Sequence, residues 1–319
     1  MRGNKTEVVL KIVLVPLFWS MVFPLSKIIL EKVPPISVVA LRYTAGAAFL
    51  CTISLAGGAG REMSDLLRNR WPTMFLLGFA AVGSYASQVI ALRYASTAEG
   101  AIIASTAPVY ATILAAIFLE ERIGVNQVLG LLLSLAGVTG IALAGEQGAG
   151  NGNLTGTALM FVGAITYSAY TVLGKKLGAS STSVLAVSTG LGTIPFLLWA
   201  VFREPLLPAL RSVPSSAWTN LVALGILPTG IAVVWYFSLV SRLGAARASA
   251  VSYLVPVFGL VQSSFLLHET IGPAVLLGGA ACLAGVALAQ RPAKEASGIR
   301  ESQEGSHSHA EAGRQNTGT

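Results

Sequence analysis

The chain has 319 residues, 54% of them hydrophobic and only 11% charged, with a mean hydropathy of +0.70 and a formal net charge of +7. Soluble domains carry roughly 25% charge, so this composition excludes a single water-soluble domain and points to an integral membrane protein. The positive balance calls for no nucleic acid partner, because it gathers between the apolar segments on one side of a bilayer.

Ten apolar stretches succeed one another in chain order, at roughly 8–30, 36–56, 71–92, 98–119, 124–145, 153–174, 182–202, 217–240, 246–267 and 270–290. Each is close to the roughly 20 residues that carry a helix across a bilayer. Residues 124–145, 152–174, 182–202, 212–241, 248–267 and 270–290 contain no Asp, Glu, Lys or Arg. Lipid cannot satisfy backbone polar groups, so these stretches are expected to be helices of an all-α integral membrane fold. The alternation of an outer-membrane barrel is absent. The first stretch is too long, and too poor in a small-residue cleavage site, for a removed signal.

Ten crossings put both termini on one side. With the termini inside, the inner segments hold 15 Lys and Arg residues, whereas the outer ones hold only Lys32, Arg93, Arg203 and Arg211. The positive-inside rule therefore predicts a multi-pass cell-membrane protein with both termini cytoplasmic. The polar tail 291–319 is expected to be disordered, and its His307 and His309 to be solvated rather than metal-bound. Cys51 and Cys282 fall in apolar spans and form no disulfide framework.

The chain repeats itself. Glu121 and Glu269, Gly124 and Gly272, Gly130 and Gly278, and Gly137 and Gly285 each stand 148 residues apart. Ser20 matches Ser168, Lys27 matches Lys175 and Pro108 matches Pro256 at the same offset. Across the third and eighth spans the offset is 147, as for Trp71 with Trp218 and Gly78 with Gly225. The repeat implies two five-helix units, 8–145 and 153–290. Five is odd, so the second unit enters the bilayer inverted, a plan of secondary transporters that bind solute between the repeats. A duplicated scaffold or regulatory membrane protein is the alternative. The glycine-rich fifth and tenth spans read as packing helices, where small residues let backbones approach.

The candidate solute site draws on several spans. Lys27 and Arg42 are the charges well inside spans, and Arg42 lies about 9 Å deep at 1.5 Å per residue. Such a charge costs on the order of a few kcal/mol unless it finds water, a partner or the headgroups. Arg42 suits a carboxylate or phosphate, and Lys27 can instead snorkel. Aromatic and amide groups at Trp19, Tyr85, Gln88, Tyr167, Tyr170, Trp235 and Tyr236 offer a mixed-polarity surface. Trp71 and Trp218 open their spans and read as interfacial anchors. Pro108 and Pro256 are expected to kink the fourth and ninth spans, with Ser105, Thr106, Tyr110, Tyr253 and Gln262 nearby. Glu121 and Glu269 are either coupling carboxylates or anions favoured at a following helix start.

Enzymatic readings find little support. Asp65 is the sole aspartate, and no GxSxG or GxxxxGK[ST] occurs. No metal ion or cofactor is called for.

The segments "FWSMVFPLSKIIL", "PPISVVALRYTAGAAFL" and "APVYATILAAIFLEERIGVNQVLGLLLSLAGV", with the second-half "YLVPVFGLVQSSFLLHETIGPAVLLGGAACLAGV", resemble the EamA-type domains of the drug/metabolite transporter superfamily. The resemblance covers about 8–290 and implies a ten-helix transporter of small metabolites, often an exporter, with a central cavity between the halves. The halves differ where Arg42 pairs with Gly190 and His268 replaces Glu120, so the central site is expected to be asymmetric.

Overall fold

The computed structural model describes residues 5–104, 106–119, 125–147, 154–177, 181–206, 208, 215–243, 250–268 and 270–289. Ser105, Glu121, Glu269 and the tail 291–319 lie outside them, as do the side chains of Pro108, Lys175 and Tyr253. The elements are α1 (Lys5–Ser20), α2 (Val22–Leu30), α3 (Pro35–Ala56), α4 (Gly60–Asn69), α5 (Trp71–Ala91), α6 (Thr97–Ala104) and α7 (Ala107–Leu119). Then come α8 (Val125–Gln147), α9 (Leu154–Leu177), α10 (Thr182–Arg203) and α11 (Ser215–Leu224). A π-helical turn (Gly225–Ile231), α12 (Ala232–Leu243), a 3-10 turn (Ala250–Tyr253), α13 (Leu254–Leu267) and α14 (Pro273–Ala289) complete the order.

Six helical segments among the described residues are long and apolar enough to cross a membrane: Thr6–Leu30, Pro35–Ala56, Trp71–Ala91, Leu154–Gly174, Thr182–Arg203 and Ala217–Leu239. Shorter apolar helices include Leu254–Leu267 and Pro273–Gly285. The chain is thus an all-helical, multi-pass membrane protein.

Three expected spans are interrupted, and proline explains where. A proline has no N–H for the carbonyl four residues earlier and its ring crowds that carbonyl. α1 ends at Ser20, four residues before Pro24, and α11 ends at Leu224, four before Pro228; α6 is described to Ala104, and a turn at Thr106 comes before Pro108. The fourth span is therefore two helices, with Pro108 in the first turn of α7, where its missing N–H costs nothing. Pro256 sits likewise in the first turn of α13, behind the 3-10 turn. The short helix α4 answers to no expected span. Its Leu66 is buried while Arg61, Arg68 and Arg70 are not.

Helix starts are capped across the bundle. The Glu204 carboxylate accepts from Ile36 N at 3.2 Å, Ser37 N at 2.7 Å and Ser37 Oγ at 2.7 Å. It thereby satisfies donors that the first turn of α3 leaves open. At the other end of the same antiparallel pair, Glu62 of α4 accepts from Ser181 Oγ at 2.7 Å and Ser183 Oγ at 3.0 Å at the start of α10. α6 begins with a capping box in which Ser96 N donates to Glu99 Oε2 at 2.9 Å and Glu99 N to Ser96 Oγ at 3.1 Å.

Packing joins corresponding helices of the two halves: α3 against α10, α6 against α13 and α8 against α14. α5 packs on α9 and α10, and the π turn packs on α3. Glycines set the closest of these crossings. A Cβ built at Gly78 of α5 would strike the Ser188 carbonyl of α10, and one at Gly192 would strike the Gly78 backbone. On α8 a Cβ at Gly137 would stand 2.5 Å from the Gly278 carbonyl oxygen and 2.8 Å from Cys282 Sγ of α14.

Gly78→Leu is expected to destabilise the bundle by about 3 kcal/mol or more, because backbone cannot yield as a side chain does. Gly140→Ala meets nothing within 4 Å and is expected to melt as the wild type does. Thermal unfolding in detergent, with membrane abundance, checks both; equal melting of Gly78→Leu and wild type removes the close-crossing account.

Candidate functional site

Arg42 sits in the third turn of α3 and is only 5% exposed. Its Nε donates to Thr229 Oγ1 at 2.9 Å. Its Cζ lies 3.8 Å over the Tyr85 ring of α5 and 5.3 Å over that of Tyr43. Both are within cation–π range. Its Nη1 is buried and has no hydrogen-bond partner among the described residues. The position matched to Arg42 by the repeat is Gly190, where an added Cβ would meet nothing within 4 Å. The two repeat-matched positions thus differ: one carries a buried cation, and the other has no side chain and open space around it.

The Tyr85 ring is itself fixed. Its hydroxyl lies 2.6 Å from Ser26 Oγ, and Ser26 also donates to the Val22 carbonyl of α2. That leaves the Ser26 oxygen to accept from Tyr85. The Tyr43 ring stands 5.7 Å from Tyr85, and its hydroxyl reaches the Ala81 carbonyl at 3.3 Å. α2, α3 and α5 therefore set the plane over which the guanidinium rests.

A second aromatic group completes the centre. Trp19 of α1 lies 5.0 Å from Tyr236 of α12, and Trp235 stacks on Phe18 at 6.1 Å. Tyr167 and Tyr170 of α9 stand 5.7 Å apart, and both phenols are within electrostatic reach of Tyr43 and Tyr236. Trp19, Trp235 and Tyr167 are only partly buried. Trp19, Tyr167, Tyr170, Trp235 and Tyr236, from α1, α9 and α12, thus share one packed cluster, and Tyr43 and Tyr85 are the rings against the Arg42 guanidinium. Aromatic faces suit an apolar body, and a guanidinium suits an anionic group.

The remaining candidates have these surroundings, with Tyr110 in one cluster with Tyr167. Gln88 packs its stem on α9, where a Cβ at Gly163 would stand 2.7 Å from Gln88 Cγ. Thr106 is buried and donates to the Ile103 carbonyl at 2.6 Å. The Tyr110 ring meets Phe161 edge-on at 5.1 Å. Gln262 reaches the Leu17 carbonyl with Nε2 at 3.5 Å and leaves a buried Oε1 unpartnered among the described residues. Lys27 is half-buried on α2. Trp71 is 55% exposed and Trp218 38%, apart from the aromatic centre.

Tyr43 and Thr229 escape a reading of the sequence. Tyr43 comes directly after Arg42 in "LRYTAG" and stands out from no neighbour. Thr229 lies in "GILPTGI", where a proline between glycines in a charge-free span is the available signal.

Residues 7–143 and 154–290 each match the EamA-like transporter family. The "Probable terminal-alkyne amino-acid exporter" of Streptantibioticus cattleyicolor is 31% identical over 296 residues, covering 90% of this chain and 94% of that protein. The aromatic amino acid exporter YddG of Ancylobacter novellus is 28% identical over 261 residues, covering 78% and 87%. The transporter YvbV of Bacillus subtilis, itself uncharacterized, is 26% identical over 86% of this chain and 88% of its own. A solved crystal structure superposes with a TM-score of 0.65 at 26% identity, over 90% of this chain and 98% of its own. A family match spanning both halves, on an apolar helical bundle with a charged aromatic centre, makes this chain a member of the EamA-like transporter family.

Proposed function

We propose that the chain exports small organic acids with an apolar body, amino acids among them, by alternating access across the cell membrane. In this reading it crosses the bilayer ten times as two inverted five-helix halves, with both termini cytoplasmic. The pairing of α3 with α10, α6 with α13 and α8 with α14 supports such a plan. So do the two relatives named as exporters of amino acids.

The observation that carries the substrate class is the buried Arg42 guanidinium. It stays protonated in proteins, and a dehydrated cation is costly unless paired. Thr229 and the Tyr85 face offset part of that cost. No carboxylate pairs with Arg42 among the described residues, and Nη1 points to no acceptor among them. A solute carboxylate supplies the missing acceptor and charge, while the Trp19, Tyr236, Tyr170 and Trp235 rings take the apolar body.

The test is flux in proteoliposomes with two matched pairs, phenylalanine against phenylalaninamide and 3-phenylpropionate against 3-phenylpropionamide. A hydrogen bond to a charged group contributes about 1.5–3 kcal/mol, roughly ten- to a hundredfold in affinity. Arg42→Gln is expected to weaken uptake of the carboxylates by that factor and to change the amides little. Absence of flux for every member, with the protein folded, returns the chain to a scaffold role.

The aromatic surface makes a separate prediction. Trp19→Ala and Trp235→Ala are expected to raise KM several-fold at matched membrane abundance. Trp71→Ala is expected to leave it unchanged. Equal effects at all three positions exclude an aromatic solute surface.

A further inference from the structure

Thr229 holds a position that neither the repeat nor the family match singles out. Pro228 has no N–H, so the Leu224 carbonyl loses the donor that an α-helix provides. The chain answers with a π turn over Gly225–Ile231, and Thr229 Oγ1 donates to the Leu224 oxygen at 3.2 Å. The hydroxyl has a single proton, so toward Arg42 it acts as acceptor only. It takes the Nε proton at 2.9 Å. Both roles of the hydroxyl are thus filled, and its direction is fixed by the backbone rather than by solute.

The π turn is also keyed to α3 by shape. A Cβ at Gly46 would stand 2.7 Å from Thr229 Cγ2, and one at Gly225 would stand 2.7 Å from the Arg42 carbonyl oxygen. The methyl of Thr229 therefore sits on the α3 backbone one turn beyond Arg42. π turns of this kind are rare and recur at functional sites.

A guanidinium can offer a carboxylate its side, through Nε and one Nη, or its end, through both Nη groups. With Nε occupied and Cζ held over Tyr85, the side is closed. We propose that Thr229 is the positioning residue of the anion site: it engages Nε, turns the end of the Arg42 fork with its unpartnered Nη1 toward the solute, and so sets carboxylate affinity without touching solute. This rests on Arg42 being the carboxylate anchor.

The experiment measures flux of phenylalanine, 3-phenylpropionate and their two amides in the full-length protein, carrying Thr229→Val, Thr229→Ser or Arg42→Gln. Valine keeps the methyl that seats on Gly46 and removes the acceptor. Thr229→Val is expected to raise KM for the carboxylates about tenfold, to keep maximal flux within about twofold, and to leave the amides unchanged. Thr229→Ser is expected to restore the wild-type KM. Should Thr229→Val fail to reach the membrane, Thr229→Cys replaces the oxygen by a weak sulfur acceptor with the same expected split. A fall in maximal flux at unchanged KM, or an equal effect on carboxylates and amides, overturns the positioning role. If Arg42→Gln still cancels the carboxylate preference in that case, the anchor stands without Thr229. If Arg42→Gln leaves the preference intact, the anchor fails and the proposal with it.

Discussion

A guanidinium without bulk water inside an apolar bundle has to be held from several sides, and that requirement organises the centre of this protein. Arg42 takes an acceptor from the π turn and a ring face from α5. The ring is held by a serine on α2. Three segments far apart in sequence therefore meet because one charge cannot be left exposed to lipid. The same cation leaves one nitrogen without an acceptor among the described residues, the feature on which the proposed anion site rests.

Proline distribution turns long apolar helices into articulated ones. Pro24 and Pro228 each end a helix four residues upstream, a turn at Thr106 comes before Pro108, and Pro16 and Pro195 lie inside α1 and α10 without ending them. Pro228 has the largest effect on the backbone. At Leu224 a side-chain hydroxyl compensates the carbonyl, and the chain widens into a π turn. This interruption brings the Thr229 side chain against α3. Glycines then bring backbones together where α5 crosses α10 and α8 crosses α14, since in lipid helices associate by contact rather than by hydrophobic drive.

Much of this is legible in the sequence, for identifiable reasons. Charge-free stretches mark helices, because bilayer thickness and backbone satisfaction leave few alternatives. Arg42 is visible because a cation in an apolar run is costly. Trp19, Tyr167, Tyr170 and Trp235 are visible as ring-bearing positions, and they share one packed cluster, whereas the Thr106 hydroxyl bonds a local carbonyl. Thr229 is not visible, because helical periodicity of 3.6 residues does not foresee a π turn that shifts the register. The short helix α4 escapes notice because it is polar and has no apolar run. Glu204 and Glu62 do so because their partners lie more than a hundred positions away.

Those two carboxylates have a consequence for the chain as a whole. Glu204 comes after α10 and caps α3, whereas Glu62 comes after α3 and holds the hydroxyls of Ser181, which caps α10, and Ser183. The first turn of α3 is capped by an acid of the other half, and the serine that caps α10 is braced by one. Cut in the connection between the halves and made as two polypeptides, the first piece loses the cap of α3, the second loses the brace on the cap of α10, and each carries an acid parted from its donors. The likeness of the two halves in sequence therefore conceals a mutual dependence: they are complementary pieces of one folding unit, and neither is a self-sufficient module.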